Sequence, residues 1–122
     1  MNYYIITGTS RGIGQALANV ILSRDECEVI GLSRTNSISQ KNFRYVELDL
    51  SDVDAVAQWQ FPELKNPSRI FLVNNAGAFG HVKPVGAIDN ASFQRLFNVN
   101  LTAPCILTNN FIKTYGDKNV PL

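Results

Sequence analysis

Histidine, methionine and tryptophan occur once each and cysteine twice in these 122 residues. A zinc-type site needs several histidine or cysteine ligands, and a secreted framework needs several cysteine pairs, so neither is expected. Cys27 and Cys105 lie in separate apolar stretches and read as core thiols of a reducing compartment. Excess charge of one sign is also missing: 11 basic and 10 acidic residues leave a formal +1. Without a basic face or an acidic tail, no nucleic-acid partner is expected. No apolar run approaches the roughly 18 residues of a membrane span, and the start Met1-Asn2-Tyr3-Tyr4-Ile5-Ile6 lacks the cationic flank of a secretory signal. A cytoplasmic protein without membrane contact follows as the expectation. There is no Cys-x-x-Cys pair and no Gly-x-Ser-x-Gly elbow, and His81, alone, reads as a loop residue.

What is present is an alternation of β-rich runs with helical spacing, which predicts one α/β domain over 1–122 built on a parallel sheet. Strands are expected at Tyr3–Thr7, Glu28–Ser33, Phe43–Leu48 and Arg69–Asn74, each buried on at least one face. Ile13, Leu17, Ala18, Ile21 and Leu22 recur at helical spacing and predict an inward stripe on a first helix that starts within Gly12-Ile13-Gly14. Ser51-Asp52-Val53-Asp54 predicts a cap, with Ser51 its better capping residue, for a short helix through Gln60 that turns Val53, Val56, Ala57 and Trp59 inward before Pro62. A last helix is expected over Ala91–Tyr115, capped by Asp89 or Asn90, with Phe93, Leu96, Phe97, Asn100, Leu101, Leu107 and Phe111 on one face. Thr35–Asn42 reads as the one flexible stretch.

Thr7-Gly8-Thr9-Ser10-Arg11-Gly12-Ile13-Gly14 joins the first strand to the first helix, where a phosphate-binding loop has to lie for the helix N-terminus to face an anion. Gly8 permits a tight turn, Gly12 lets backbone N–H groups approach a phosphate, and Gly14 lets the helix pack against the strand; the alternative is a plain glycine-rich turn. Small residues at Asn75-Ala76-Gly77 follow the fourth strand and leave room for a ligand at its end. Asp49 follows the third apolar run, where its carboxylate can accept a hydrogen bond from a ligand or, alternatively, cap the next helix. Pro104 lacks the N–H that would bond the Asn100 carbonyl, which predicts a helix kink beside Asn100 and leaves that carbonyl able to hold a water. The alternative is a locally satisfied asparagine before a helix break.

The loop spacing Thr-Gly-x-x-x-Gly-x-Gly, with Asp49-Leu50, Asn74-Asn75-Ala76-Gly77 and Val99-Asn100-Leu101 following in order, resembles the short-chain dehydrogenase/reductase family. The loop is similar to that of its benzil-reductase and sepiapterin-reductase-like branch. The resemblance implies a Rossmann-type doubly wound parallel sheet, here four strands in order 3-2-1-4. It implies hydride transfer between a nicotinamide cofactor and a small-molecule carbonyl or alcohol. The implied cofactor-binding residues are Gly8, Ser10, Arg11, Gly12, Ile13, Gly14, Ser33, Arg34, Asp49, Leu50, Asn75, Ala76, Gly77 and Val99. Asn100 is the implied catalytic residue, sustaining a water-linked proton relay.

An NAD-specific site normally offers a carboxylate at the end of the second strand. Ser33-Arg34 stands there instead, and Arg34 with Arg11 can clamp a 2′-phosphate, so NADP(H) is the expected cofactor. The alternative is that both arginines are ordinary surface charges. The family acts through a serine and a Tyr-x-x-x-Lys pair beyond the segment matched here. Tyr3, Tyr4, Tyr45 and Tyr115 are followed four positions later by Thr7, Gly8, Asp49 and Asn119, so no such pair occurs. The expectation is a cofactor-binding half of a reductase, inactive alone, that self-associates as a homo-oligomer through strand Arg69–Asn74 and helix Ala91–Tyr115. The alternatives are a module that senses NADP(H) and a truncated fragment without function.

Overall fold

The computed structural model describes all 122 residues. Four strands, β1 (Asn2–Thr7), β2 (Cys27–Ser33), β3 (Phe43–Glu47) and β4 (Arg69–Val73), form one parallel sheet in the order β3-β2-β1-β4, with Ile5 level with Ile30 and Leu72. The near-continuous apolar runs of β1 and β2 suit the two central positions, because a strand covered on both faces has no polar side. β3 and β4 form the edges and are more open than the sequence pattern predicts: β3 has no fully buried residue and β4 has Ile70 alone. The outer edge of β4 meets the last residues of the chain, where the Ile70 N–H donates to the Pro121 carbonyl at 3.1 Å.

Strand alternation divides the core in two. Tyr3, Ile5, Ile30, Leu32 and Ile70 face helices α2 (Val53–Gln58) and α4 (Ala103–Tyr115), whose Val56, Leu107, Phe111 and Tyr115 close over them. Ile6, Cys27 and Val29 face α1 (Gly12–Leu22) through Ala18 and Ile21. Phe61 packs edge-on against Phe111 and Tyr115, at centroid separations of 5.7 and 5.8 Å. Such pairs add about 0.5–1.5 kcal/mol each beyond their buried area.

The largest departure lies in the last helix, which is three pieces: α3 (Asn90–Phe97), a π-helical segment (Asn98–Thr102) and α4. The Ala103 N–H reaches back five residues to the Asn98 carbonyl, so the chain meets Pro104 with one widened turn in place of a simple kink. The extra residue shifts the helical register. Ala103, Leu107, Phe111 and Tyr115 are buried, whereas Phe93, Phe97 and Leu101 of the expected stripe lie exposed. Cys105, expected in the core, is exposed, because it stands two residues from both Ala103 and Leu107 and so on the opposite face of α4, while Cys27 is buried as expected.

Other expectations are corrected locally. The cap of α2 is Asp52, which accepts the Ala55 N–H at 3.1 Å, and not Ser51, whose hydroxyl turns back to Asp49. Within α2, Ala57 faces solvent and Ala55 packs inward in its place. Ile13 is 79% exposed because the first turn of α1 projects past the sheet's end. Thr35–Asn42 is fastened rather than loose. Ile38 is buried, Ser37 Oγ donates to the Ser10 carbonyl at 2.7 Å, and Gln40 Nε2 donates to Asn19 Oδ1 at 2.8 Å.

Candidate functional site

A cleft of about 630 Å3 opens at the carboxyl ends of the strands, the edge where open α/β sheets take their ligands. Every residue proposed for cofactor binding or catalysis lines it: Gly8, Ser10, Arg11, Gly12, Ile13 and Gly14 from the first loop, Ser33 and Arg34 at the end of β2, Asp49 and Leu50 after β3, Asn75, Ala76 and Gly77 after β4, and Val99 and Asn100 from the π segment; Thr7, Asn74 and Leu101 of the same motifs do not. Leu32, Leu48, Ala78, Phe79 and Arg95 also line it and were missed. Ala78 and Phe79 simply continue the run from Gly77, whereas Arg95 had one weak signal, a position four residues before Val99 and so one helical turn away.

The glycine loop owes its shape to close approach. Gly8 has φ +76°, and a Cβ there would crowd Ala76 Cα at 3.0 Å; a Cβ at Gly14 would collide with the Gly8 carbonyl and the Asn75 amide. Arg11 is the N-cap of α1 without a side-chain cap, and no acidic residue occupies the first turn. The first N–H groups of that helix therefore meet the cleft with no side chain of their own to satisfy them, the condition that suits an anion. Gly12 has open space where a Cβ would stand, so a ligand phosphate can approach its backbone.

The opposite wall is tied to this loop. Thr7 Oγ1 accepts the N–H groups of Asn75 and Ala76, both at 3.0 Å, and Asn75 Nδ2 donates to the Thr7 carbonyl at 3.0 Å. Asn75 thus serves through its side chain to hold the loop, with the space for a ligand beside it. Asn100 pairs with one backbone unit: its Oδ1 accepts the Ala78 N–H and its Nδ2 donates to the Ala78 carbonyl, each at 2.8 Å. The side chain of Asn100 is thereby committed, and Pro104 has no N–H to give to its backbone carbonyl.

Asp49 is the acidic group of the cleft. Its Oδ1 accepts both the hydroxyl and the N–H of Ser51, at 2.7 and 2.9 Å. The Ser51 hydroxyl is the chief reason its pKa is held below the usual carboxylate value; partial burial opposes this, and Arg34 and Arg95 add to the lowering. The carboxylate stays ionised and able to accept from a ligand N–H. Ser33 is buried, and its hydroxyl donates to the Thr35 carbonyl at 2.7 Å, closing the turn that exposes Arg34.

A family model described as short chain dehydrogenase matches residues 2–119. The chain belongs to the short-chain dehydrogenase family. Benzil reductase ((S)-benzoin forming) of Bacillus subtilis (strain 168) is 38% identical over 95% of this chain. The chain spans about half the length of that relative, 50% of it. Among solved short-chain dehydrogenases, one from Burkholderia vietnamiensis superposes with a TM-score of 0.82 at 33% identity, covering 91% of this chain and 57% of that one. A metagenomic short-chain oxidoreductase in complex with NADP gives 0.75 at 29% identity, over 92% and 55% of the two chains. A 4-hydroxyisoleucine dehydrogenase complexed with NADH gives 0.77 at 25%, over 98% and 52%. The parallel sheet of this chain, in the order β3-β2-β1-β4, accords with the fold of those structures.

Proposed function

We propose that this chain is the NADP(H)-binding part of a short-chain oxidoreductase that moves hydride between the nicotinamide and a small carbonyl or alcohol. The observation that carries the reading is the uncapped N-terminus of α1 opening into a cleft lined by Arg11 and Arg34, with Ser33 where an NAD-selective site offers a carboxylate. The α1 N-terminus suits the pyrophosphate, Arg34 and Arg11 the 2′-phosphate, and Asp49 the adenine amino group. Ser10, Ile13, Leu50 and Val99 form the walls between them, and Asn75, Ala76 and Gly77 leave room for a ribose. The cofactor, when bound, supplies the hydride. The chain's own residues orient it, and the Asn100 carbonyl holds a water for proton transfer. The benzil reductase relative supports a carbonyl as the substrate class, and the two free cysteines support a reducing, cytoplasmic setting.

With no Tyr-x-x-x-Lys in these residues, the chain alone binds cofactor without turnover. Titration with NADPH and NADH, followed by an assay of benzil reduction, tests both parts. Tighter binding of NADPH with no consumption is the expected result, and equal affinities would remove the 2′-phosphate reading. The exposed stripe Phe93, Phe97 and Leu101 supports self-association, and a concentration-independent monomer in sedimentation would refute it.

A further inference from the structure

We infer that Asn98 is a positioning residue for nucleotide recognition, holding the turn that aims the Asp49 carboxylate into the cleft; this rests on the nucleotide-binding reading above. Four residues on three elements form one hydrogen-bonded line. Gln94, in α3, donates from Nε2 to Asn98 Oδ1 at 2.9 Å. Asn98, opening the π segment, donates from Nδ2 to the Ser51 carbonyl at 3.0 Å. Ser51 in turn gives both its N–H and its hydroxyl to Asp49 Oδ1. The turn is closed by the Asp52 N–H on the Asp49 carbonyl at 3.1 Å.

The direction of control follows from chemistry. An asparagine amide both donates and accepts, so Asn98 is fixed from one side by Gln94 and spends its own donor on the turn. Asp49 has no donor of its own when ionised, and its place is set by what donates to it. Two residues on, Asn100 grips Ala78 across the cleft. Side chains two apart on a helix do not share a face, so a single widened turn reaches the loop after β3 with one asparagine and the loop after β4 with the other. The π segment thereby sets the distance between the adenine end and the reacting end of the cleft.

The test is base discrimination, which general loosening would not alter. Affinities are measured for NADPH and for its hypoxanthine analogue, which lacks the exocyclic amino group, with the parent chain, with Asn98→Leu and with Gln94→Ala. A charge-assisted hydrogen bond predicts that the parent prefers the adenine form by about tenfold or more. Asn98→Leu is expected to reduce that preference to about twofold while leaving the hypoxanthine affinity within about twofold of the parent's, and Gln94→Ala to reduce it by a smaller factor. Thermal unfolding of each variant reports whether it folds, and the milder Gln94→Ala decides the matter if Asn98→Leu does not. Full retention of the preference, or equal loss for both nucleotides, overturns the role of Asn98. A parent that binds both forms equally overturns it while sparing the nucleotide-binding reading, and a parent that binds neither overturns both.

Discussion

Thr7 and Asn75 hold each other at both ends: the Thr7 hydroxyl accepts the Asn75 N–H, and the Asn75 amide donates to the Thr7 carbonyl, each at 3.0 Å. The pair joins the end of β1 to the loop after β4, and so fixes the two walls of the cleft to one another. Thr7→Val keeps the shape but leaves the N–H groups of Asn75 and Ala76 without their acceptor. The expected loss is about 1–3 kcal/mol for each orphaned donor, read by urea unfolding. Thr7→Ser retains the hydroxyl and is expected to recover most of it.

Gly14 and Gly12 are expected to fail differently. A methyl at Gly14 meets the Gly8 carbonyl, so Gly14→Ala lowers the melting temperature of the free chain, by overpacking worth about 1–3 kcal/mol. At Gly12 the methyl meets nothing, though φ is +59°. Gly12→Ala therefore costs only about 1–2 kcal/mol of backbone strain, while the methyl projects where a phosphate approaches. The thermal shift produced by NADPH is expected to vanish in Gly12→Ala.

Arg34→Ala is expected to weaken NADPH by about 10- to 150-fold, the worth of a charge-assisted hydrogen bond of about 1.5–3 kcal/mol, and to leave NADH nearly unchanged. Isothermal titration with both cofactors measures the split. Equal losses would mean that Arg34 serves the turn after β2 and not the 2′-phosphate.

Tyr115 is buried and donates to the Pro62 carbonyl at 2.7 Å; burial pushes its pKa up to about 12, against a smaller opposing pull from Arg44. The unfolded tyrosine ionises first, near its ordinary 10.0. Its contribution to stability is therefore complete below about pH 10 and is lost as pH rises toward 12. Denaturation at neutral and alkaline pH should show this fall in the parent and less of it in Tyr115→Phe, which costs about 0.5–1.5 kcal/mol at neutrality.

The parts of the site legible in the sequence are those dictated by local chemistry. Gly8 and Gly14 mark close approach wherever a strand turns directly into a helix, and the apolar runs Tyr3–Thr7 and Ile70–Val73 already mark strands, though their pairing came only from the family resemblance. What escaped depends on packing between distant segments. Pro104 announces a disturbance, but whether the helix kinks or widens is settled by how Leu107 and Phe111 seat on the sheet, and that choice moves Phe93 and Phe97 outward. The Ser51 hydroxyl had two partners within reach, the end of α2 and Asp49, and spacing alone does not decide between them.

The stretch from Phe79 to Ile88 is moored at its two ends, at Ala78 by the Asn100 amide and at Asp89 by the start of α3. Between those moorings, Phe79, Val82 and Val85 stand fully exposed. Such a stretch works as an interchangeable cassette. Loops of this kind tolerate exchange of length and lining, so grafting a different segment over Phe79–Ile88 is expected to leave the moorings at Ala78 and Asp89 as they are.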